Sequence, residues 1–134
     1  PQSPSFFGDL PHTWISAEYI LAVCSLFAYE READESLVIA AGVAEEWLKD
    51  GREVGVENLP TYYGKISYWL QLERKGMLWV KLKGDLVIPP GGIVVKPPLP
   101  RSIKQVDING KGLKEFETVS FICSTCPAEA VVRF

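Results

Sequence analysis

Between Ile66 and Lys83 the chain alternates apolar and polar side chains with a period of two, and this alternation constrains the fold more than any other feature. Only an extended strand puts every second residue on one face. Ile66, Tyr68, Leu70 and Leu72 then share one face of a first strand, and Leu78, Val80 and Leu82 share one face of a second. For both faces to enter one core, Leu72 must oppose Leu78 and Leu70 must oppose Val80, because a slip of one residue would set leucines against lysines. That register leaves Arg74-Lys75-Gly76 as a three-residue loop, with Gly76 able to take the left-handed position such loops require.

The same period runs through the rest of the C-terminal region, with turn residues at short intervals. Strands are expected near 53–57, 64–73, 77–83, 92–96, 103–108, 118–122 and 129–134. Pro89-Pro90-Gly91-Gly92 and Pro97-Pro98-Leu99-Pro100 break the pattern, and Asn109-Gly110 is a turn signal. Leu37 to Ala41 reads as a buried strand, and Val43 to Leu48 as one or two helical turns carrying Trp47. The fold class that follows is mainly β: an antiparallel β-sandwich with an N-terminal α-helix and one short helix.

The N-terminal helix is unusual. Residues 14–29 read as helical, with Thr13 as N-cap, and Glu30 to Glu35 as a polar connection. Trp14, Ala17, Leu21, Cys24 and Ala28 make one apolar stripe, and Ile15, Tyr19, Ala22, Leu26 and Tyr29 make a second beside it. Ile20, Val23 and Phe27 fill most of what remains, whereas a surface helix has one apolar stripe and one polar face. Such a helix wants partners on most sides, and one sheet face supplies too few. The expectation is that residues 1–35 are the end of a larger body and 36–134 a β-sandwich domain. A start at Pro1-Gln2-Ser3-Pro4 without an initiator Met fits that expectation.

The 134 residues suffice for a real core. A net charge of -3, with the basic residues scattered, argues against a nucleic-acid partner, which needs clustered Lys and Arg. No apolar run reaches the roughly 20 residues that cross a bilayer, and no signal peptide is visible, so no membrane partner is expected and localisation is not readable. Cys24, Cys123 and Cys126 are too few and too unevenly spaced for a disulfide framework.

The stretch Pro11-His12-Thr13-Trp14-Ile15-Ser16-Ala17-Glu18-Tyr19-Ile20 resembles the last barrel helix of six-hairpin glycoside hydrolases of the bacterial glucoamylase-like kind. The region from Leu59-Pro60-Thr61-Tyr62-Tyr63-Gly64 to Ile88-Pro89-Pro90-Gly91-Gly92 is similar to the small β-sandwich that follows an (α/α)6 barrel in rhamnosidase-like families. The resemblance implies the C-terminal end of a carbohydrate-active enzyme whose reacting carboxylates lie mostly on earlier barrel elements. Ser5-Phe6-Phe7-Gly8-Asp9 does not match the acidic motif that supplies a glucoamylase's general base, and the sandwich has no histidine to lend to a sugar site. Both departures argue against catalysis by this chain alone, and no catalytic residue is assigned.

The candidate chemistry is correspondingly thin. Glycoside hydrolysis needs two carboxylates roughly 5–9.5 Å apart. Asp9 and Glu18 are the acids near the helix start; Glu18, set in an apolar helix, reads as a substrate contact or, more commonly, as a buried Glu satisfied by a polar neighbour. His12, the single histidine, and Trp14 are candidate ligand contacts, with helix capping the plainer role for His12. Cys123-Ser124-Thr125-Cys126 lies between two expected strands, without the helix N-terminus that lowers a redox thiol's pKa, so neither a cofactor nor a metal is assigned. Tyr62, Tyr63 and Trp47 offer aromatic faces to a sugar, with packing of the strand entry against the short helix the preferred reading.

Trp69 and Trp79 fall on the polar face of the hairpin, among Lys65, Ser67, Gln71, Glu73, Lys81 and Lys83, as diagonal neighbours within aromatic reach. Either the N-terminal helix or a further domain covers them, the preferred reading, or they form an exposed ligand platform. The expected function is therefore the non-catalytic C-terminal domain of a glycoside hydrolase, bracing the catalytic barrel, with self-association of the isolated piece. The alternative is an autonomous carbohydrate-binding module that uses Trp69 and Trp79.

Overall fold

The computed structural model describes the backbone of residues 4–134 and the side chains of residues 16–134. It is a mainly β structure of two sheets with one long helix, α1 (Pro4–Phe27), and short 3-10 segments at Glu32–Asp34 and Glu45–Gly51. The strands in chain order are β1 (Ala28–Arg31), β2 (Ser36–Ile39), β3 (Glu53–Thr61), β4 (Gly64–Glu73), β5 (Met77–Leu86), β6 (Ile93–Val95), β7 (Gln105–Ile108), β8 (Lys111–Gly112), β9 (Phe121–Cys123) and β10 (Ala128–Arg133). One sheet has the order β1-β2-β6-β9 and the other β3-β4-β5-β10-β7-β8.

The hairpin register follows the alternation. Leu72 pairs with Leu78 and Leu70 with Val80, and Gly76 turns the loop at φ 74°. Ile66, Tyr68, Leu70, Leu78, Val80 and Leu82 are buried and meet Leu37, Ile39, Ile93, Val95 and Phe121 from the smaller sheet, which closes the core between the two layers. All pairings are antiparallel except β2 with β6, which is parallel. Leu37-Val38-Ile39 and Ile93-Val94-Val95 are continuous apolar runs, as strands buried on both faces are.

Edge strand β3 is longer than the expected 53–57 and irregular. Its register shifts between Val56 and Leu59, where Asn58 takes φ 52° and donates its N–H to Ser67 Oγ at 2.7 Å. Pro60 follows in the same strand, a residue a sheet tolerates at an edge.

The helix differs from expectation at both ends. It is already helical at Pro4, the first residue the structure describes, so Thr13 lies inside it and is not the N-cap. It ends at Phe27, because Ala28–Arg31 pairs antiparallel with Ser36–Ile39; Ala28 and Tyr29 of the expected helix and Glu30 and Arg31 of the expected polar connection thus form an edge strand. The last carbonyls of a helix need outside partners. Leu26 O accepts from Gly42 N–H at 3.0 Å, and Phe27 O accepts from Ala40 N–H at 3.0 Å and from the Tyr68 hydroxyl at 2.6 Å. Tyr68 belongs to the other sheet, so one buried phenol ties both layers to the helix end.

The turn from β1 to β2 is held by Asp34. Arg31 Nη2 and Nε donate to its carboxylate at 2.7 and 3.0 Å, and the buried Ser36 hydroxyl donates at 2.7 Å. These bonds hold the Asp34 carboxyl well below the usual carboxylate range, Arg31 being the larger cause. A depressed carboxylate stabilises the fold above its ordinary pKa near 4 and loses that contribution as pH falls below it. In a carboxyl-carbon NMR titration, Asp34 is expected to stay ionised through the ordinary range and to move up toward it in Arg31→Ala; an unchanged midpoint would remove Arg31 as the cause.

Candidate functional site

Register places one row of outward-facing residues straight across five strands of the larger sheet. Glu53 on β3 pairs with Gln71 on β4, Gln71 with Trp79 on β5, Trp79 with Val131 on β10, and Val131 with Asp107 on β7. The next row runs Gly55, Trp69, Lys81, Glu129. Core-facing neighbours Leu70, Val80, Ala130 and Val132 are buried, which fixes these two rows on the solvent side.

The two tryptophans differ in role. Trp69 is half-buried, and its ring lies on the edge strand at Gly55: a Cβ on Gly55 would come 2.5 Å from Trp69 Cδ1. Lys83 Nζ lies 5.9 Å from the centroid of the same ring, within cation–π range. Trp69 therefore packs on its own sheet. Trp79 is 40% exposed. Depressions of about 160 and 480 Å³ flank it, the first bounded by Glu53, Trp69, Gln71 and Lys81, the second by Asp107, Asn109, Val131 and Arg133, with Glu129 shared between them.

The polar groups around Trp79 are held by one another. Arg133 Nη1 donates to Asp107 Oδ2 at 2.7 Å, Gln105 Nε2 donates to the same oxygen at 3.1 Å, and Asn109 Oδ1 accepts the Glu129 N–H at 2.9 Å. On the other side Gln71 Nε2 donates to Gly51 O at 3.0 Å, which leaves the Gln71 carbonyl oxygen for a further bond.

The described part of α1 does not cover this face, so of the two covers expected from the sequence, the helix and a further domain, these helix residues do not serve as one. Of residues 16–27, Cys24 and Phe27 pack on the core, and Phe27 stacks on Trp47 at 6.4 Å. Tyr19, Ile20 and Leu21 are 69%, 61% and 69% exposed, and Val23 and Leu26 are exposed as well. Glu18 is exposed too, so it is not the buried, satisfied acid of the plainer reading. The side chains of Asp9, His12 and Trp14 lie outside the described residues.

The remaining aromatic expectation also changes. Trp47 packs on Phe27 at the helix end, while Tyr62 and Tyr63 form the β3–β4 turn and meet each other edge to face at 5.2 Å. Cys123 ends β9 buried and Cys126 sits half-buried in the following loop, both as thiols. Burial, aided by Cys123, pushes the Cys126 thiol up, the opposite of what a redox pair needs. Among the described residues no three His, Cys, Asp or Glu side chains converge as a metal site would require. Glu53, Asp107, Glu129 and Val131 escaped the sequence reading because their place beside Trp79 depends on β3 and β10 flanking the hairpin and on β7 pairing with β10, which local alternation does not encode.

No family model, curated protein or solved structure matches this chain.

Proposed function

We propose that this chain is the non-catalytic C-terminal portion of a carbohydrate-active enzyme of the glycoside hydrolase class, and that its sandwich braces a catalytic barrel through α1. The observation that carries the reading is the exposure of Tyr19, Ile20 and Leu21 on a helix anchored by its last turn. At 100° per residue these three point in different directions, so no single sheet face buries them together. Leaving such side chains in water forgoes roughly 1.5–3 kcal/mol each relative to full burial, a driving force toward an apolar partner. The barrel-helix resemblance of residues 11–20 names that partner as the rest of an (α/α)6 barrel.

Two measurements test this. In sedimentation velocity the isolated chain is expected to self-associate with concentration, and Tyr19→Lys/Leu21→Lys to be monomeric with its Tm unchanged. A wild-type chain that stays monomeric and binds no hydrophobic dye would overturn the brace. Assayed alone on nitrophenyl glycosides the chain is expected to be inactive; turnover that survives repurification and is lost in Glu18→Gln would overturn the non-catalytic assignment.

A further inference from the structure

We infer that the Trp79 row on the outer face of the larger sheet binds a neutral oligosaccharide. The inference goes beyond the bracing role and does not depend on it, because the row faces away from the core and is not covered by the described part of α1.

The argument is chemical. An indole 40% exposed at the middle of a six-stranded sheet is apolar surface left in water with no described segment packed on it. The flat C–H face of a pyranose matches an indole face, while its ring hydroxyls project sideways and need donors and acceptors at the rim. The rim supplies both kinds: carboxylates of Glu53 and Glu129, the Gln71 carbonyl oxygen, the Lys81 ammonium and the Arg133 guanidinium, in two depressions on opposite sides of the ring. The fixed Asp107–Arg133 pair and the Gln71–Gly51 bond limit how much these groups must be ordered on binding.

Charge selects the ligand class. Asp107 and Arg133 cancel, and two carboxylates oppose one ammonium across the ring, so the patch has neither the positive field that draws a polyanion nor a cage of carboxylates for a cation. A neutral polyol fits this mixed rim. The row from Glu53 to Asp107 covers four strand spacings, roughly 19 Å, so the ligand is an extended chain of several sugars rather than a monosaccharide. Trp69, already laid on Gly55, borders the site without being its platform.

The test uses the full chain with maltohexaose, cellohexaose, xylohexaose and mannohexaose, and hexagalacturonate as the anionic control, followed by calorimetry and tryptophan fluorescence. Saturable binding to a neutral hexasaccharide is expected. Trp79→Ala is expected to weaken it by about tenfold or more, with the far-UV spectrum and Tm retained because the side chain is half in solvent. Trp47→Ala, which alters an indole packed on Phe27, is expected to leave it unchanged. Absence of saturation with all four neutral sugars, tighter binding of hexagalacturonate, or binding indifferent to Trp79→Ala would each overturn the assignment. The brace stands or falls separately, on the helix variants.

Discussion

Tyr68→Ala is expected to destabilise the fold by about 3–5 kcal/mol, the range for emptying a large aromatic site in a packed core. Tyr68 is fully buried, and its ring is one of the largest side chains between the two sheets. Tyr68→Phe separates shape from bonding: it retains the ring and removes a hydroxyl that donates to Phe27 O at 2.6 Å and accepts from Ala40 N–H at 3.2 Å. About 1–2 kcal/mol is expected for that change, the usual result of stranding buried partners. Denaturant unfolding of the two variants measures both quantities, and equal losses would refute the separation. Burial pushes the Tyr68 phenol well above its ordinary value near 10. A raised phenol contributes stability that is intact below pH 10 and lost as pH rises beyond it. In ultraviolet titration the Tyr68 share of the tyrosinate signal is therefore expected only with unfolding, and Tyr68→Phe should remove that cooperative step.

Gly42→Val is the second large effect, and it acts on the helix alone. A Cβ at Gly42 would stand 2.7 Å from Leu26 Cα, a backbone atom that cannot rotate away. The substitution must push the helix end off the sandwich and break the bond from Gly42 N–H to Leu26 O. Overpacking of this kind costs about 1–3 kcal/mol. The expected result is rapid proteolytic cleavage between residues 26 and 35, ahead of the buried strand β2, with the β10 end of the chain still protected from amide exchange. Protection of the helix equal to wild type would show that Gly42 does not set its approach. Because the helix is the bracing element of the proposed function, the same variant should also change how the chain self-associates.

The hairpin was legible because its leucines and lysines alternate without exception, so a single register satisfies both faces, and the breakers Pro89-Pro90-Gly91-Gly92 and Asn109-Gly110 turn where their chemistry requires. Ala28-Tyr29-Glu30-Arg31 was not, since Ala28 and Tyr29 continue the helical apolar pattern, Glu30 and Arg31 open a polar stretch, and the four become a strand only by pairing with Ser36–Ile39. The parallel pairing of β2 with β6 did have a signal in two unbroken aliphatic runs, though nothing local matches one run to the other. At the candidate site, alternation placed Trp69 and Trp79 on one face. Which of them meets solvent depends on Gly55 lying opposite Trp69, a contact set by the β3–β4 register on the near side of the bulge.

That bulge has a consequence for how the protein behaves at high concentration. An unpaired strand edge invites a second copy to add its own strand, the route to fibrils. Along β3 the shift at Val56/Leu59 and the missing N–H of Pro60 interrupt the edge, and at the far side of the sheet β8 is two residues long. Strand-by-strand polymerisation is thus frustrated at both margins of this sheet, so self-association through Tyr19, Ile20 and Leu21 is expected to give detergent-sensitive oligomers rather than cross-β fibres growing from this sheet.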